Sequence, residues 1–122
     1  MQSIRERKAD FGASDVPLKA ADLDTGGLRQ FPSLLSAIVP VINLPSIPAN
    51  EFRLDGATLA DLMSGKIKTW NAPAIVKLNA SLELTLPKLP VIVMYRAERS
   101  DSTAVFTAYL SSASPAWKSS IG

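Results

Sequence analysis

Residues 90–95, PVIVMY, are apolar at every position. A strand with one face in water alternates apolar and polar side chains, so a run without alternation asks to be covered on both faces, as parallel strands are. A charged, hydroxyl-rich turn follows, RAERSDST, and after it a helical pattern with Val105, Phe106, Tyr109 and Leu110 on one stripe. Strand, polar turn and helix in that order point to an α/β fold. In open α/β sheets ligands bind outside the carboxyl ends of the strands. The turn after Tyr95 is therefore the first place to look for function.

The rest of the chain extends the same alternation. ADFGA, residues 9–13, is expected as a short strand ending at a Gly-Ala-Ser-Asp turn, with Asp15 just past its end. LKAADLDTGGL reads as a short helix closed by Gly26 and Gly27, a C-cap pair. FPSLLSAIVPVINLP mixes β-branched residues with prolines and suits one or two strands with extended ends. In DGATLADLMSGKIKTW the apolar residues Leu59, Leu62, Met63 and Ile67 recur at helical spacing, with Gly65 near the end. Pro73 opens a helix over PAIVKLN, and Pro115 begins a last short turn of helix around Trp117. Trp70, Trp117 and Phe106 read as core.

Composition removes whole classes of chemistry. The chain has neither cysteine nor histidine, which excludes disulfides, thiol catalysis, histidine bases and ordinary zinc sites. Asp15, Glu98 and Asp101 could supply acid–base chemistry, but no nucleophile–base pair accompanies them, and an enzyme is not expected. The net charge is only +2, and the basic run Arg5-Glu6-Arg7-Lys8 is interrupted by an acid and reads as a solvated segment. That argues against a nucleic-acid binder, which clusters its basic residues on one face. At 122 residues the chain is one domain or part of a larger one, with 47% apolar residues to build a core. The start, MQSIRERKADFG, lacks the apolar stretch of a secretory signal. The longest apolar run, residues 37–44, is broken by Pro40 and Asn43, far short of the ~20 residues that span a bilayer. A soluble chain is expected.

Two readings of the turn stand side by side. Ser100 and Asp101 ahead of an apolar helix are ordinary N-cap residues, and Arg96 is then a surface cation. Alternatively, the open N–H groups and positive dipole end of the helix attract an oxyanion. Ser100, Ser102 and Thr103 then add hydroxyl donors, and Arg96 grips two anion oxygens with its planar fork. For Asp15, an Asx-turn at ASDVP is the competing reading.

DFGASDVPL, FPSLLSAIVPVINLP, LDGATLADLMSGKIKTWNAPAIVKLN, VIVMYRAERSDSTAVFTAYLS and SPAWKSSIG stand in the same order as in one family. Along nearly its whole length the chain resembles the phosphate-binding proteins of Pst-type ABC transporters, periplasmic solute receptors. The resemblance implies an α/β fold, part of a two-lobed periplasmic-binding-protein architecture of type II, with a mixed sheet and flanking helices. About residues 1–40 would come from the first lobe and about 41–122 from the second. It implies inorganic phosphate held without metal or cofactor, a membrane permease as transport partner, and a periplasmic location. Lacking a signal, the chain would stay in the cytoplasm if it were the full gene product.

Residue by residue, the family's phosphate ligands fall on Asp15, Arg96, Ser100, Asp101 and Ser102. Asp15 would accept a hydrogen bond from a protonated phosphate oxygen and repel a fully ionised sulfate. Ser102 keeps a hydroxyl where the family has threonine, and Arg99 takes a variable position. Asp101 stands where the family has a glycine, and it has to turn outward if the seat is to work. A carboxylate ~4 Å from the anion costs about 4 kcal/mol at an effective dielectric near 20.

Against the family the chain reads as a middle slice, truncated at both ends. A slice of this kind exposes sheet edges and apolar surface, so a homo-oligomer is expected. The alternative function is a degenerate self-associating protein that keeps the fold without the ligand.

Overall fold

A computed structural model describes residues 2–44, 47–48, 50–80, 86–98 and 100–122. Local signals set its helices: α1 Gln2–Arg5, α2 Ala20–Gly26, α3 Gly56–Met63, α4 Pro73–Leu78, α5 Asp101–Ala113 and α6 Pro115–Ser120. Gly27 ends α2 in the left-handed conformation at φ 59°, as the glycine pair predicts. Pro73 and Pro115 stand in the first turns of α4 and α6, where the missing N–H costs nothing. Ser114 Oγ accepts the Trp117 N–H at 3.2 Å and so caps α6. The basic run near the N-terminus is solvated as expected, with exposed pairs such as Lys8–Glu6 at 2.6 Å. Among the described residues no helix is long and apolar enough to cross a membrane.

Asp55 caps α3 by accepting the Thr58 N–H at 2.7 Å. That backbone hydrogen bond holds its carboxyl below the usual aspartate range. A lowered folded value contributes stability above the unfolded pKa, and that contribution fades as pH falls through the folded one. Asp55→Ala is expected to cost about 0.5–2 kcal/mol at pH 7. The difference from wild type should shrink at pH 3 and below, while Asp55→Asn keeps the cap and shows no such convergence. Urea titrations at the two pH values check this.

Helix α3 is buried on two sides. Ala60 joins Leu110 and Trp117, with Leu59, Met63 and Phe106 packed against them. Leu62, two residues on and so roughly 200° around the helix, belongs to a second cluster with Ile75 and Leu86. Trp70 and Phe52 pack against that cluster and meet edge to face at 5.9 Å. A Cβ placed on Gly56 would lie 2.6 Å from the Ala113 Cβ, so the glycine permits the close approach of α3 to α5. Asn79, buried at the end of α4, accepts the Arg53 N–H at 2.8 Å. It returns its own amide to the carbonyls of Arg53 (3.0 Å) and Ile75 (2.8 Å). One side chain thereby ties two segments together through three hydrogen bonds.

Among the described residues the expected strands are not paired into a sheet. Among the described residues the β pairing is one antiparallel bridge, Thr69 to Pro90. The Trp70 N–H donates to the Leu89 carbonyl (3.0 Å) and the Val91 N–H to that of Lys68 (2.9 Å). There the ladder stops. Ile92, Met94 and Tyr95 are 75%, 87% and 81% exposed, against the two-sided burial their pattern asks for. Residues 9–13 and 31–44 carry no strand either, and the last residue of the expected strand at 31–45 lies outside the described residues. The physical reason is that a strand exists only by pairing, and nothing among the described residues pairs with these segments.

Candidate functional site

Arg96 and Ser100–Ser102 flank the start of α5, the longest helix described. Ser100 occupies its N-cap position with extended backbone, φ −145° and ψ 132°, yet its side chain makes no capping hydrogen bond. The contrast with Asp55 and Ser114, which both cap their helices, is informative. The hydroxyl of Ser100 is not consumed by its own helix, and the first helical carbonyl bond is Ala104 N–H to Ser100 O at 3.1 Å. The N–H groups of residues 101–103 have no hydrogen-bond partner among the described residues. They carry the positive end of the helix dipole.

Asp101 is the first residue of α5 and is exposed, with no hydrogen bond or ion pair among the described residues. Ser102 is exposed beside it. Arg96 projects at the surface and is held by Glu98, whose Oε1 accepts from Nε at 3.1 Å and from Nη2 at 2.8 Å. The Arg96 guanidinium keeps the Glu98 carboxyl below its ordinary range. Arg99 lies outside the described residues.

Asp15 sits in the turn after residues 9–13. The turn is closed by its neighbour: Ser14 Oγ accepts the Val16 N–H at 3.3 Å and donates to the Val16 carbonyl at 2.9 Å. The Asx-turn that competed for Asp15 is therefore not made, and its carboxylate is exposed. No hydrogen bond or ion pair among the described residues joins Asp15 to the 96–102 segment.

Two residues that sequence reasoning passed over shape these turns. Gln30 Oε1 accepts the Leu18 N–H at 2.8 Å and its Nε2 donates to the Val16 carbonyl at 3.2 Å, which clamps the segment just after Asp15. Glu98, considered only for acid–base chemistry, positions the Arg96 fork. The spacing of an acid two residues after an arginine was the available signal for Glu98. A lone glutamine twelve residues from its partner offers none.

Comparison with known proteins bears on this geometry. Residues 1–122 match the family model described as the PBP superfamily domain. The chain is 46% identical over 121 residues to the phosphate-binding protein PstS of Pasteurella multocida, an alignment covering 99% of this chain and 35% of that one. The PstS of Haemophilus influenzae is 45% identical over 99% of this chain and 36% of its own length. That of Xylella fastidiosa is 41% identical over 98% and 32%. The chain thus spans about a third of the length of these relatives. By the match along its entire length, the chain belongs to the PBP superfamily.

Proposed function

We propose that this chain is a phosphate-receiving part of a solute receptor for ABC-type phosphate uptake, working by binding and release without catalysis. The observation that carries the reading is 46% identity, over 99% of the chain, to a protein named for phosphate binding. The uncapped start of α5 supports a seat for that anion there. Backbone N–H groups of residues 101–103, the hydroxyls of Ser100 and Ser102, and the Arg96 fork would donate to it. Asp15 would accept from its proton. On this reading the segments without a strand partner among the described residues, 9–13, 31–43 and 92–95, supply strands of a mixed, two-lobed α/β architecture, with about residues 1–40 in one lobe and about 41–122 in the other. A periplasmic location and a membrane permease as partner follow from the same reading.

Asp101 is the residue that sets how well the seat works. Its carboxylate at the first position of α5 complements the dipole, worth about 0.3–1 kcal/mol, and it opposes a second anion at the same N–H groups. Solvent around this exposed side chain reduces the repulsion below the value for a dry pair. Asp101→Gly is therefore expected to tighten phosphate binding about tenfold while slightly lowering the melting temperature. Calorimetric titration of phosphate into wild type and variant, at one pH and low salt, makes the comparison. Equal affinities would clear Asp101 of any role. Absence of phosphate binding in both proteins would favour the reading in which the fold is kept without the ligand.

A further inference from the structure

An aspartate in an exposed turn ordinarily bonds the backbone N–H groups two or three residues after it. Asp15 is exposed and makes no such bond among the described residues. Each donor that follows it is accounted for. The Val16 N–H donates to Ser14 Oγ at 3.3 Å. Pro17 has no N–H to offer. The Leu18 N–H donates to Gln30 Oε1 at 2.8 Å. Leu18 stands three residues beyond Asp15, the spacing at which Asp55 accepts the Thr58 N–H in this same chain. Gln30 therefore holds the N–H that the Asp15 carboxylate would otherwise take.

We propose that Gln30 is a positioning residue for phosphate: by occupying the Leu18 N–H it stops Asp15 from folding back onto its own turn and leaves the carboxylate to accept from a protonated phosphate oxygen. The assignment rests on phosphate being the ligand and Asp15 its acceptor. An amide suits the task because it both accepts and donates. Nε2 of Gln30 donates to the Val16 carbonyl at 3.2 Å, which turns Oε1 toward Leu18. The same carbonyl accepts from Ser14 Oγ at 2.9 Å, so Ser14 is spent on Val16 and cannot replace Gln30 at Leu18. Residue 30 lies beyond α2, so the turn is held from a separate segment and not by its own sequence neighbours. Three side chains thus divide the work: Ser14 closes the turn, Gln30 guards its last donor, and Asp15 stays unclaimed.

The experiment compares wild type, Gln30→Ala, and Gln30→Ala combined with Asp15→Asn, each as the full 122-residue chain. Gln30 is exposed and belongs to neither apolar cluster, so the variants should keep the wild-type far-UV spectrum. In Gln30→Ala the Leu18 amide proton resonance should move as the Asp15 carboxyl titrates, because the carboxylate now bonds that N–H. In wild type it should not, and in the double variant the response should vanish. The double variant also separates Asp15 from Asp22, whose carboxylate lies 3.4 Å from Arg5 Nη2. A merely structural role for Gln30 would not couple Leu18 to Asp15. Calorimetric titration of inorganic phosphate should show about tenfold weaker binding to Gln30→Ala, the scale of one hydrogen bond to a charged group. A Leu18 amide indifferent to Asp15 in Gln30→Ala overturns the proposal. So does wild-type phosphate affinity in that variant. Wild type that binds no phosphate overturns the phosphate reading and this role with it, a failure set apart from the other two because it appears in the unaltered chain.

Discussion

Arg96→Ala is expected to weaken phosphate binding by about 100-fold or more, equivalent to ~2.7 kcal/mol. The guanidinium is the one strong cation described at the start of α5, and its two donors already lie on a carboxylate oxygen at 2.8 and 3.1 Å. That contact occupies the fork, so Glu98 would have to share it or give way to a bound anion. A charge-assisted, bidentate grip on an anion would be roughly twice as strong as neutral hydrogen bonds. Arg96→Lys should recover part of the loss, because it keeps the charge and loses the planar fork. Calorimetry of the three proteins at pH 7 in low salt gives the ranking. If Arg96→Ala binds like wild type, the anion is held elsewhere and the seat at α5 is wrong. The side chain is exposed, so the variant should fold like wild type.

The largest effect on stability is expected at Leu110. This residue is fully buried and links α5 to Ala60 of α3 and Trp117 of α6. Leu110→Ala removes buried methyl groups and leaves a cavity that the helices close only in part, at a cost of about 2–5 kcal/mol. Marginal domains hold about 5–15 kcal/mol in total, so the variant should lose a large share of its stability. Leu110→Met, which conserves volume, should cost less than about 1.5 kcal/mol. Urea unfolding followed by far-UV circular dichroism separates the two. A loss under 1 kcal/mol for the alanine variant would mean that α5 does not depend on this cluster.

The helices were legible because their signals are local. Gly27, Pro73 and Pro115 each act within one turn of themselves, and each helix they mark is present. The stripe on α5 was read less well: Leu110 is buried, but Val105 and Tyr109 are exposed. The strands are not seen paired into a sheet among the described residues, for the opposite reason. PVIVMY announces its need for two covered faces, yet the covering must come from residues far away in sequence, and Lys68–Trp70 supplies only a bridge. At the candidate site, the turn after residue 95 drew attention through charge and hydroxyls alone. The assignment of Asp15, Ser100 and Ser102 to phosphate came from family resemblance, and their proximity to one another across the chain stays a proposal. Asn79 and Gln30 were invisible as organisers because an amide signals nothing until its partners are known.

The two apolar clusters each hold one of the two tryptophans, Trp117 in the first and Trp70 at the edge of the second. Nature has in effect supplied each half with its own fluorophore. Replacing either indole by phenylalanine leaves a single emitter whose unfolding curve belongs to one cluster. Coincident curves from the two variants would mean that α3 couples both clusters into one cooperative unit. Separate midpoints would mean that the chain comes apart in pieces, with the less stable cluster opening first.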